Sequence, residues 1–422
     1  MKGDNKMERI LKKKYYQIEF TLKSPLCIGS GENKITDKDI IRNSKGDPYI
    51  PASAIAGVIR DCLQDDEIKD IYLGYVRKNK LLNQETEQVS SRIVFYDATV
   101  TGEYNTSIRD SVALDEYKTA IDGAKFDMEV VETGAQFKTY IEQNYLQGDY
   151  DYAEKIVEAF CSSKFLLGGK STRGYGEIEV DYVASKEFNL ENIDDVKALL
   201  DFDLLEDNKW TISKKISSNA KFTIKLELKQ EGGISIRRYT TNPSTDTIVA
   251  PDMEQMTLTD GKPVIPGTSW AGAFRHRMEE FGCDPAIFGY VKSNGEKNRS
   301  LIRFSESVIV NGQSKKMSRN AIDRFTGGVK KSALFTERSY YGGKTTLEIS
   351  WYGDEPMKKR DIQALAASIT DLHFGFLAIG GETGIGRGLF SISKINEILL
   401  DKDLEQDNVY SFVFDKVQEV MA

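Results

Sequence analysis

Two glycine-rich segments are the strongest candidates for ligand contact in this sequence. They read Gly168-Gly169-Lys170-Ser171-Thr172-Arg173-Gly174-Tyr175-Gly176 and Gly380-Gly381-Glu382-Thr383-Gly384-Ile385-Gly386-Arg387-Gly388. Repeated glycines allow backbone N–H groups to converge on an anion such as phosphate, and the interleaved basic and hydroxyl side chains add donors. The competing interpretation is a tight turn that only requires positive φ. The occurrence of two such loops favours ligand contact, with these candidate residues: Gly169, Lys170, Ser171, Thr172, Arg173, Tyr175, Gly381, Thr383 and Arg387.

Two observations limit this interpretation. The carboxylate of Glu382 opposes phosphate binding in the second loop. Neither loop ends in the GKS or GKT of a P-loop, so a nucleotide-hydrolysing site is not expected.

Two Ile-Pro steps, each closely followed by a hydroxyl residue, predict helix starts. We expect one helix to begin at Ser53 and another at Thr268, with these residues as N-caps. The free N–H groups there, with Ser53, Thr268 and Ser269, can hold a phosphate. Arg60 and Arg275 follow seven residues later on the same face. Taken alone, an ordinary capped helix with an exposed arginine is the preferred interpretation.

A basic segment between residues 314 and 344 is the third candidate. It contains eight Lys or Arg residues against two acids, with Phe325, Phe335, Tyr340 and Tyr341 interleaved. Cationic and aromatic side chains together can follow a nucleic-acid backbone and stack on bases. The alternative is a solvated hairpin. The candidate contacts in this segment are Arg319, Lys330 and Lys331.

Composition excludes several classes of protein. The 422 residues carry a net charge of −8, which by itself does not favour nucleic-acid binding. Only two histidines and four isolated cysteines are present, which argues against a His-based hydrolase, a zinc knuckle and a disulfide framework and favours buried free thiols. We find no transmembrane stretch and no secretory signal, and therefore expect a cytoplasmic protein without a membrane partner.

The chain repeats itself at an offset of 209 to 215 residues. The Ile-Pro step at Ile50-Pro51 returns at Ile265-Pro266, and the first glycine-rich segment returns as the second. An ordered set of motifs at nearly constant offset predicts a duplicated domain. We therefore predict a first domain over 1–185, a connector over 186–215 and a second domain over 216–422.

The connector is acidic, with eight acids and three lysines from Lys186 to Trp210. It is predicted to be helical. The alternative interpretation of an acidic RNA mimic is less favoured, because charge runs are usually solvated faces.

Each repeat has the predicted order strand–helix–strand, strand–helix–strand. Strands are expected at Tyr16 to Leu22 and Phe222 to Leu228, and helices at Tyr152 to Cys161 and Asp361 to Leu372. The predicted fold class is α+β, with two tandem ferredoxin-like or RRM-like domains.

These motifs resemble a known family. The string Ser24-Pro25-Leu26-Cys27-Ile28-Gly29-Ser30-Gly31, the Ile-Pro motif with Gly57 and Arg60, and the first glycine-rich segment are similar to the RAMP superfamily. More narrowly, the chain resembles two fused backbone subunits of a type III CRISPR effector complex. The resemblance implies binding of a CRISPR guide RNA, contact with complementary target RNA and other RAMP-type subunits, and a β-hairpin thumb from each repeat, at Ile108 to Phe137 and Arg319 to Thr345.

The resemblance also implies an endoribonuclease. An aspartate in the loop before the Ile-Pro motif would act at each site, and the aligned residues are Asp37 and Asp252, with Asp39 and Glu254 as close competitors. The implied reaction is attack by the ribose 2′-OH with Mg²⁺ or another divalent cation held by Asp37 and Asp252. A carboxylate can orient or deprotonate that hydroxyl, or hold a metal on the phosphate. The alternative at each position is a solvated loop aspartate.

Three hypotheses follow. The first is a guide-RNA-binding subunit that cleaves target RNA at two sites, and the second is a scaffold that binds RNA without cleaving it. The third is a small-molecule enzyme that uses the glycine-rich loops for a phosphorylated substrate. The second repeat departs from the family pattern: it lacks the upstream Pro-Leu string and has Ile385 in place of Arg173.

Overall fold

The computed structural model describes residues 9–29, 36–63, 66–79, 84–114, 120–162, 165–171, 174–206, 210–212, 222–238, 251–291, 295–400 and 405–422. It separates into two compact units. The first comprises Met1–Thr106, Glu129–Ser171 and Tyr175–Asn219, and the second comprises Ser107–Met128, Thr172–Gly174 and Ala220–Ala422. The division into 1–185, 186–215 and 216–422 stays a prediction.

The first unit is built on four antiparallel strands and two helices. In chain order these are β1 (Lys12–Leu22), α1 (Ala52–Cys62), β2 (Ile93–Phe95), β3 (Gln136–Tyr145), α2 (Tyr152–Phe160) and β4 (Ile178–Asn189). Strand β1 lies between β4 and β3, and β2 pairs with β3. This is the ferredoxin-like arrangement that the element order predicts.

The second unit repeats the arrangement. Its elements are β5 (Thr223–Gln230), α3 (Gly267–Glu280), β6 (Ile302–Phe304), β7 (Lys344–Trp351), α4 (Lys359–Phe374), β8 (Phe390–Ile395) and a further helix α5 (Gln406–Met421). Strand β5 lies between β7 and β8, and β6 pairs with β7. The α+β fold class with two such domains is confirmed.

Two long hairpins are inserted between the core strands. The first hairpin is Thr106–Leu114 with Ala120–Val131, and the second hairpin is Gln313–Ile322 with Val329–Tyr341. They coincide with the segments in which the resemblance implies thumbs.

The remaining elements are short. Two helices span Asp66–Leu73 and Ile193–Leu200, and two 3₁₀ turns span Pro285–Phe288 and Thr383–Ile385. The short strands are Tyr49–Ile50, Tyr75–Asn79, Gln84–Val89, Ala98–Thr101, Thr211–Ile212, Gly233–Ile234, Arg237–Arg238, Met253–Gln255, Val264–Ile265, Tyr290–Val291, Lys297–Asn298, Ser307–Val308 and Ile398–Leu399. Among the described residues of the connector, the helix is Ile193–Leu200, and β4 extends into the connector as far as Asn189.

Alternation of apolar residues places one face of each central strand in a core. In β1 the side chains of Tyr16, Ile18, Phe20 and Leu22 are buried, as expected for a period of two. Helix α1 covers that core with Ile55 and Ile59, which lie one turn apart on a single stripe.

The same bulge interrupts the last strand of each unit. Along the β1–β4 pair, Glu19 faces Tyr182 but Phe20 faces Val180, so no residue of β1 lies opposite Asp181 in the register. Along the β5–β8 pair the corresponding unpaired residue is Ser393. A β-bulge of this kind bends the strand and increases its local twist.

The predicted helix starts are wrong by one residue, and their hydroxyl caps are absent. Pro51 and Pro266 occupy the N-cap positions, and neither helix has a side-chain cap hydrogen bond from its own N-cap. Proline has the extended ψ needed there and so begins the helix one residue earlier. In the first unit the Asp97 carboxylate accepts the hydrogen bond of the first free N–H, that of Ala52, at 2.7 Å.

The exclusions drawn from composition can be compared with the structure. All four cysteines are free thiols, with Cys27 and Cys283 buried and Cys62 and Cys161 half-buried. Burial raises the pKa of Cys161 and of Cys283 to about 11. Over the described ranges, no helix is long and apolar enough to cross a membrane.

Candidate nucleic-acid interface and catalytic carboxylates

The described residues of the two glycine-rich loops have similar backbone φ angles where these are positive. Positive φ occurs at four equivalent positions, with the first loop's value given first: Gly168 and Gly380 (75° and 89°), Lys170 and Glu382 (61° and 57°), Gly174 and Gly386 (82° and 81°), and Gly176 and Gly388 (78° and 74°). A side chain at Gly176 would collide with the Leu167 carbonyl, and one at Gly388 with the Ile379 carbonyl. Only glycine fits these last two positions.

Several N–H groups of these loops are already used inside the protein. Gly169 donates to the Cys27 carbonyl at 2.7 Å, and Gly381 donates to the Ser235 carbonyl at 2.8 Å. At the other end Gly176 donates to Pro25, and Gly388 to Gly233. The ends of both loops are therefore tight turns, and in the second loop Ile385, Gly386 and Arg387 also donate their N–H groups to carbonyls within the loop.

A buried cluster of charges lies beneath the second loop. Glu337, on the second hairpin, is 1% exposed and accepts hydrogen bonds on the same oxygen from Arg319 and Arg387. The Glu382 carboxylate lies 3.8 Å from Arg319 and 3.9 Å from Arg387. Arg387 also donates to the Tyr341 hydroxyl. Arg387 of this loop and Arg319 of the basic segment, both predicted RNA contacts, are thus held by acids of the protein itself.

The pKa values of the two carboxyl groups in this cluster move in opposite directions. Burial, together with the Glu337 carboxylate, raises the pKa of Glu382. Burial acts in the same direction on Glu337, but the hydrogen bond from Glu382 and the charges of Arg387 and Arg319 outweigh it and lower the pKa of Glu337. With Glu382 neutral, the two guanidinium groups face a single negative charge, so the cluster is net positive.

The first loop has a different charge. Lys170 takes the place of Glu382 and is half-buried, as is Ser171, while Gly169 is exposed. Tyr175 is buried at 7% exposure and belongs to the core rather than to the surface. Thr172 and Arg173 lie outside the described residues.

Asp252 is attached to the second hairpin. It precedes the strand Met253–Gln255, which pairs in parallel with the hairpin strand Val329–Tyr341. Its carboxylate oxygen Oδ2 accepts hydrogen bonds from the Thr336 N–H at 2.7 Å and the Thr336 hydroxyl at 2.8 Å. These bonds, led by that of the backbone N–H, lower the pKa of Asp252. The side chain is exposed and charged at neutral pH, as an orienting or cation-binding group requires.

Asp37 lies in the corresponding place in the first unit. It is exposed in a bend, and the next residue, Lys38, accepts the N–H of Glu129 from the first hairpin at 2.9 Å. The Glu129 carboxylate in turn accepts from Ile40 N–H at 3.2 Å and from Arg42 at 2.5 Å. The loop is therefore fastened to the hairpin by Glu129.

The competing carboxylates have other partners. Asp39 accepts a hydrogen bond from the Thr36 hydroxyl, and Glu254 forms an ion pair with Arg338 at 2.8 Å. Within the described residues, no group of three or more His, Cys, Asp or Glu side chains is arranged to hold a metal ion. Mg²⁺ is commonly bound by one or two carboxylates together with substrate phosphates. Asp37 and Asp252 could each supply one such carboxylate, with the remaining ligands coming from the substrate.

The tip of the second hairpin is exposed, apolar and basic. Phe325 is 96% exposed, and Ile322, Val329 and Leu334 are each about two-thirds exposed. Lys330 and Lys331 are exposed on the strand that follows. The tip therefore combines exposed apolar side chains with exposed lysines.

Arg60 of helix α1 and Arg275 of helix α3 already bond to groups of the protein itself. Arg60 donates to Asp70 at 3.2 Å and to the Leu73 and Gly74 carbonyls. Arg275 is paired with Glu279 at 2.8 Å, one helical turn away. Ser53 is exposed in the first turn of α1, and Thr268 and Ser269 are half-buried in that of α3. Among the described residues, no hydrogen bond or ion pair joins these side chains to a glycine-rich loop.

Sequence reasoning missed Glu337, Thr336 and Glu129. Each is a hairpin residue, and each contacts a segment 45 or more residues away in the chain. The available signal was the alternation along Val329–Tyr341, in which Glu337 falls on the buried face.

The chain is similar in sequence to a known family and to a curated protein. The model of the RAMP superfamily matches residues 19–179 and 247–391, more than half of the chain. A curated relative, the CRISPR system Cms endoribonuclease Csm3 of Methanocaldococcus jannaschii, is 26% identical over 209 residues, covering 42% of this chain and 84% of the relative. The cryo-EM structure of the type III-B Cmr-beta bound to cognate target RNA contains a chain with 17% identity and a TM-score of 0.32, covering 41% of this chain and 61% of that one. The chain belongs to the RAMP superfamily.

Proposed function

We propose that this chain is a tandem backbone subunit of a type III CRISPR effector, which binds guide RNA and cleaves complementary target RNA once in each unit. The relative named as an endoribonuclease supports the class of activity. The observation that carries the two-site proposal is the placement of a candidate aspartate beside a long hairpin in both units. We attribute the two matching loops and bulges to domain duplication.

The proposed reaction is attack of a ribose 2′-oxygen on the adjacent phosphorus. The new 2′-O–P bond forms as the bond to the 5′-oxygen breaks, which leaves a cyclic phosphate and a 5′-hydroxyl. The attacking hydroxyl gives up its proton and the leaving oxygen takes one. Asp37 or Asp252 orients that hydroxyl, and with phosphate oxygens would hold a divalent cation that neutralises the phosphate charge.

With a single carboxylate at each site, much of the cleavage rate must come from the geometry of the bound RNA backbone. We propose that each hairpin displaces a nucleotide and forces its backbone towards in-line attack, so that base pairing selects the sequence and the protein reads shape. The exposed Phe325 with Lys330 and Lys331 supports this role for the second hairpin.

The alternative is a scaffold that binds RNA and does not cleave it. Both proposals keep the guide RNA, the target RNA and other RAMP-type subunits as partners.

The test is cleavage of end-labelled complementary RNA by the assembled complex with magnesium. Wild type, Asp37→Ala, Asp252→Ala and the double variant are compared on a sequencing gel. Two products, each lost with one substitution, are expected. Intact but bound target in every lane would establish the scaffold instead.

A further inference from the structure

Thr336 makes two hydrogen bonds to the same oxygen of Asp252. The N–H donor lies 2.7 Å and the hydroxyl donor 2.8 Å from Oδ2. Two convergent bonds to one oxygen restrict rotation of the carboxylate. Hydrogen bonds to a charged acceptor are the stronger kind, so this restriction is substantial.

The neighbouring residues fix the backbone on which this contact is built. Met253 is in register with Glu337, and Glu254 is in register with Arg338, with which it also forms an ion pair at 2.8 Å. Three consecutive residues from Asp252 are therefore fastened to three consecutive residues of the hairpin strand. The hydroxyl of Thr336 is the side-chain part of this attachment that acts on the carboxylate directly.

We propose that Thr336 is a positioning residue of the second cleavage site, whose hydroxyl holds the Asp252 carboxylate in the orientation needed for attack by the 2′-oxygen. This inference rests on the proposed function. Thr336 does not react and does not contact the scissile phosphate. It acts through Asp252, so its loss should reduce the rate of the chemical step and leave target binding unchanged.

The experiment uses the assembled complex and reads both products in one lane. Thr336→Val keeps the size of the side chain and the N–H bond but removes the hydroxyl donor, whereas Thr336→Ser keeps both donors. We expect Thr336→Val to slow formation of the Asp252-dependent product about ten- to a hundred-fold at unchanged target affinity, and Thr336→Ser to restore most of the rate. The Asp37-dependent product is an internal control for folding and assembly.

A titration separates this inference from the proposed function. Aspartate carboxyl carbons are observed by NMR as the pH is lowered, and the Asp252 signal is assigned with Asp252→Asn. Loss of the Thr336 hydroxyl bond should raise the pKa of Asp252 and move the acid limb of the second product's pH–rate profile to higher pH. Thr223→Val is the matched control, since it removes a hydroxyl bond to Ser350 at 2.8 Å in the core sheet of the same unit.

Wild-type rates for both products in Thr336→Val would overturn the inference. An equal loss of rate in Thr336→Val and Thr336→Ser would also overturn it, because the hydroxyl that serine retains would then be irrelevant. If the wild-type complex cleaves nothing, the proposed function fails. In that case an unchanged Asp252 titration in Thr336→Val would also refute the orienting contact.

Discussion

Lys170 and Glu382 have the same left-handed backbone conformation at equivalent positions of the two glycine-rich loops, with φ of 61° and 57°. Residues with a side chain seldom adopt this conformation. At this position the two loops therefore have the same backbone conformation and differ in the side chain that they carry. The first loop offers a cation, and the second offers a carboxyl group that is attached to a buried cluster of charges.

We predict that Lys170→Gln weakens RNA binding by the assembled protein and lowers the slope of affinity against salt concentration by about one contact. Removal of one phosphate-facing cation should act alike on all RNA sequences. Lys155→Gln is the matched control, because Lys155 is an exposed lysine on helix α2 of the same unit. Filter binding over a salt series measures both. An equal effect of the two variants would exclude a specific role for Lys170.

The raised pKa of Glu382 predicts a pH dependence of RNA binding at the second loop. The pKa of Glu382 is raised by burial and by Glu337, so the neutral acid persists above the usual range of a glutamate. As pH rises through that raised pKa, the cluster loses its net positive charge and RNA affinity should fall. Glu382→Gln keeps the side chain neutral and should flatten this dependence. A wild-type slope in Glu382→Gln would refute this assignment.

Stability should follow pH with the sign set by the same groups. A group whose pKa is raised by folding stabilises fully below its unfolded pKa, and that contribution is lost as pH rises through the folded value. Wild type should therefore lose Tm relative to Glu382→Gln above the ordinary pKa of a glutamate. Glu337, whose pKa is lowered, acts in the opposite direction and only at more acidic pH. Thermal melts of both proteins over a pH series would show the two windows separately.

Gly388→Ala should destabilise the second unit by about 2 kcal/mol or more, because the added methyl meets the Ile379 carbonyl at a φ of 74°. Gly384→Ala is the matched control in the same loop, where a methyl group has nothing within 4 Å. Urea denaturation distinguishes them. Equal midpoints for the two variants would contradict the close packing of Gly388.

Phe325→Ala should reduce RNA affinity without a loss of stability. Its ring is 96% exposed, so its removal should change the free energy of unfolding by less than about 0.5 kcal/mol. Loss of one base-stacking ring should cost about 1–3 kcal/mol of RNA binding. Phe281→Ala, at an exposed position beyond helix α3, is the control. Unchanged RNA affinity in Phe325→Ala would assign the tip to another partner.

The sequence was sufficient to predict the element order, because apolar periodicity and the two glycine-rich segments are local. It was not sufficient for the partners of the charged residues. Arg387 could be identified as a cation in a glycine-rich loop, but Glu337, which neutralises it, is 50 residues away. Thr336 and Asp252 are separated by 84 residues and meet only through a parallel strand pair. The helix starts failed for a local reason, since proline itself occupied the N-cap.

The bulges at Asp181 and Ser393 reset the alternation of the last strand in each unit. The buried residues that flank the bulge are Val180 and Val183 in β4, and Ile392 and Ile395 in β8. In both strands a step of three replaces the step of two. Deleting the bulged residue would shorten this step to two, so the strand would pair as a regular ladder with the same side chains still facing the core. The bulges therefore determine how the last strand curves beside the glycine-rich loop, and not which of its side chains are buried.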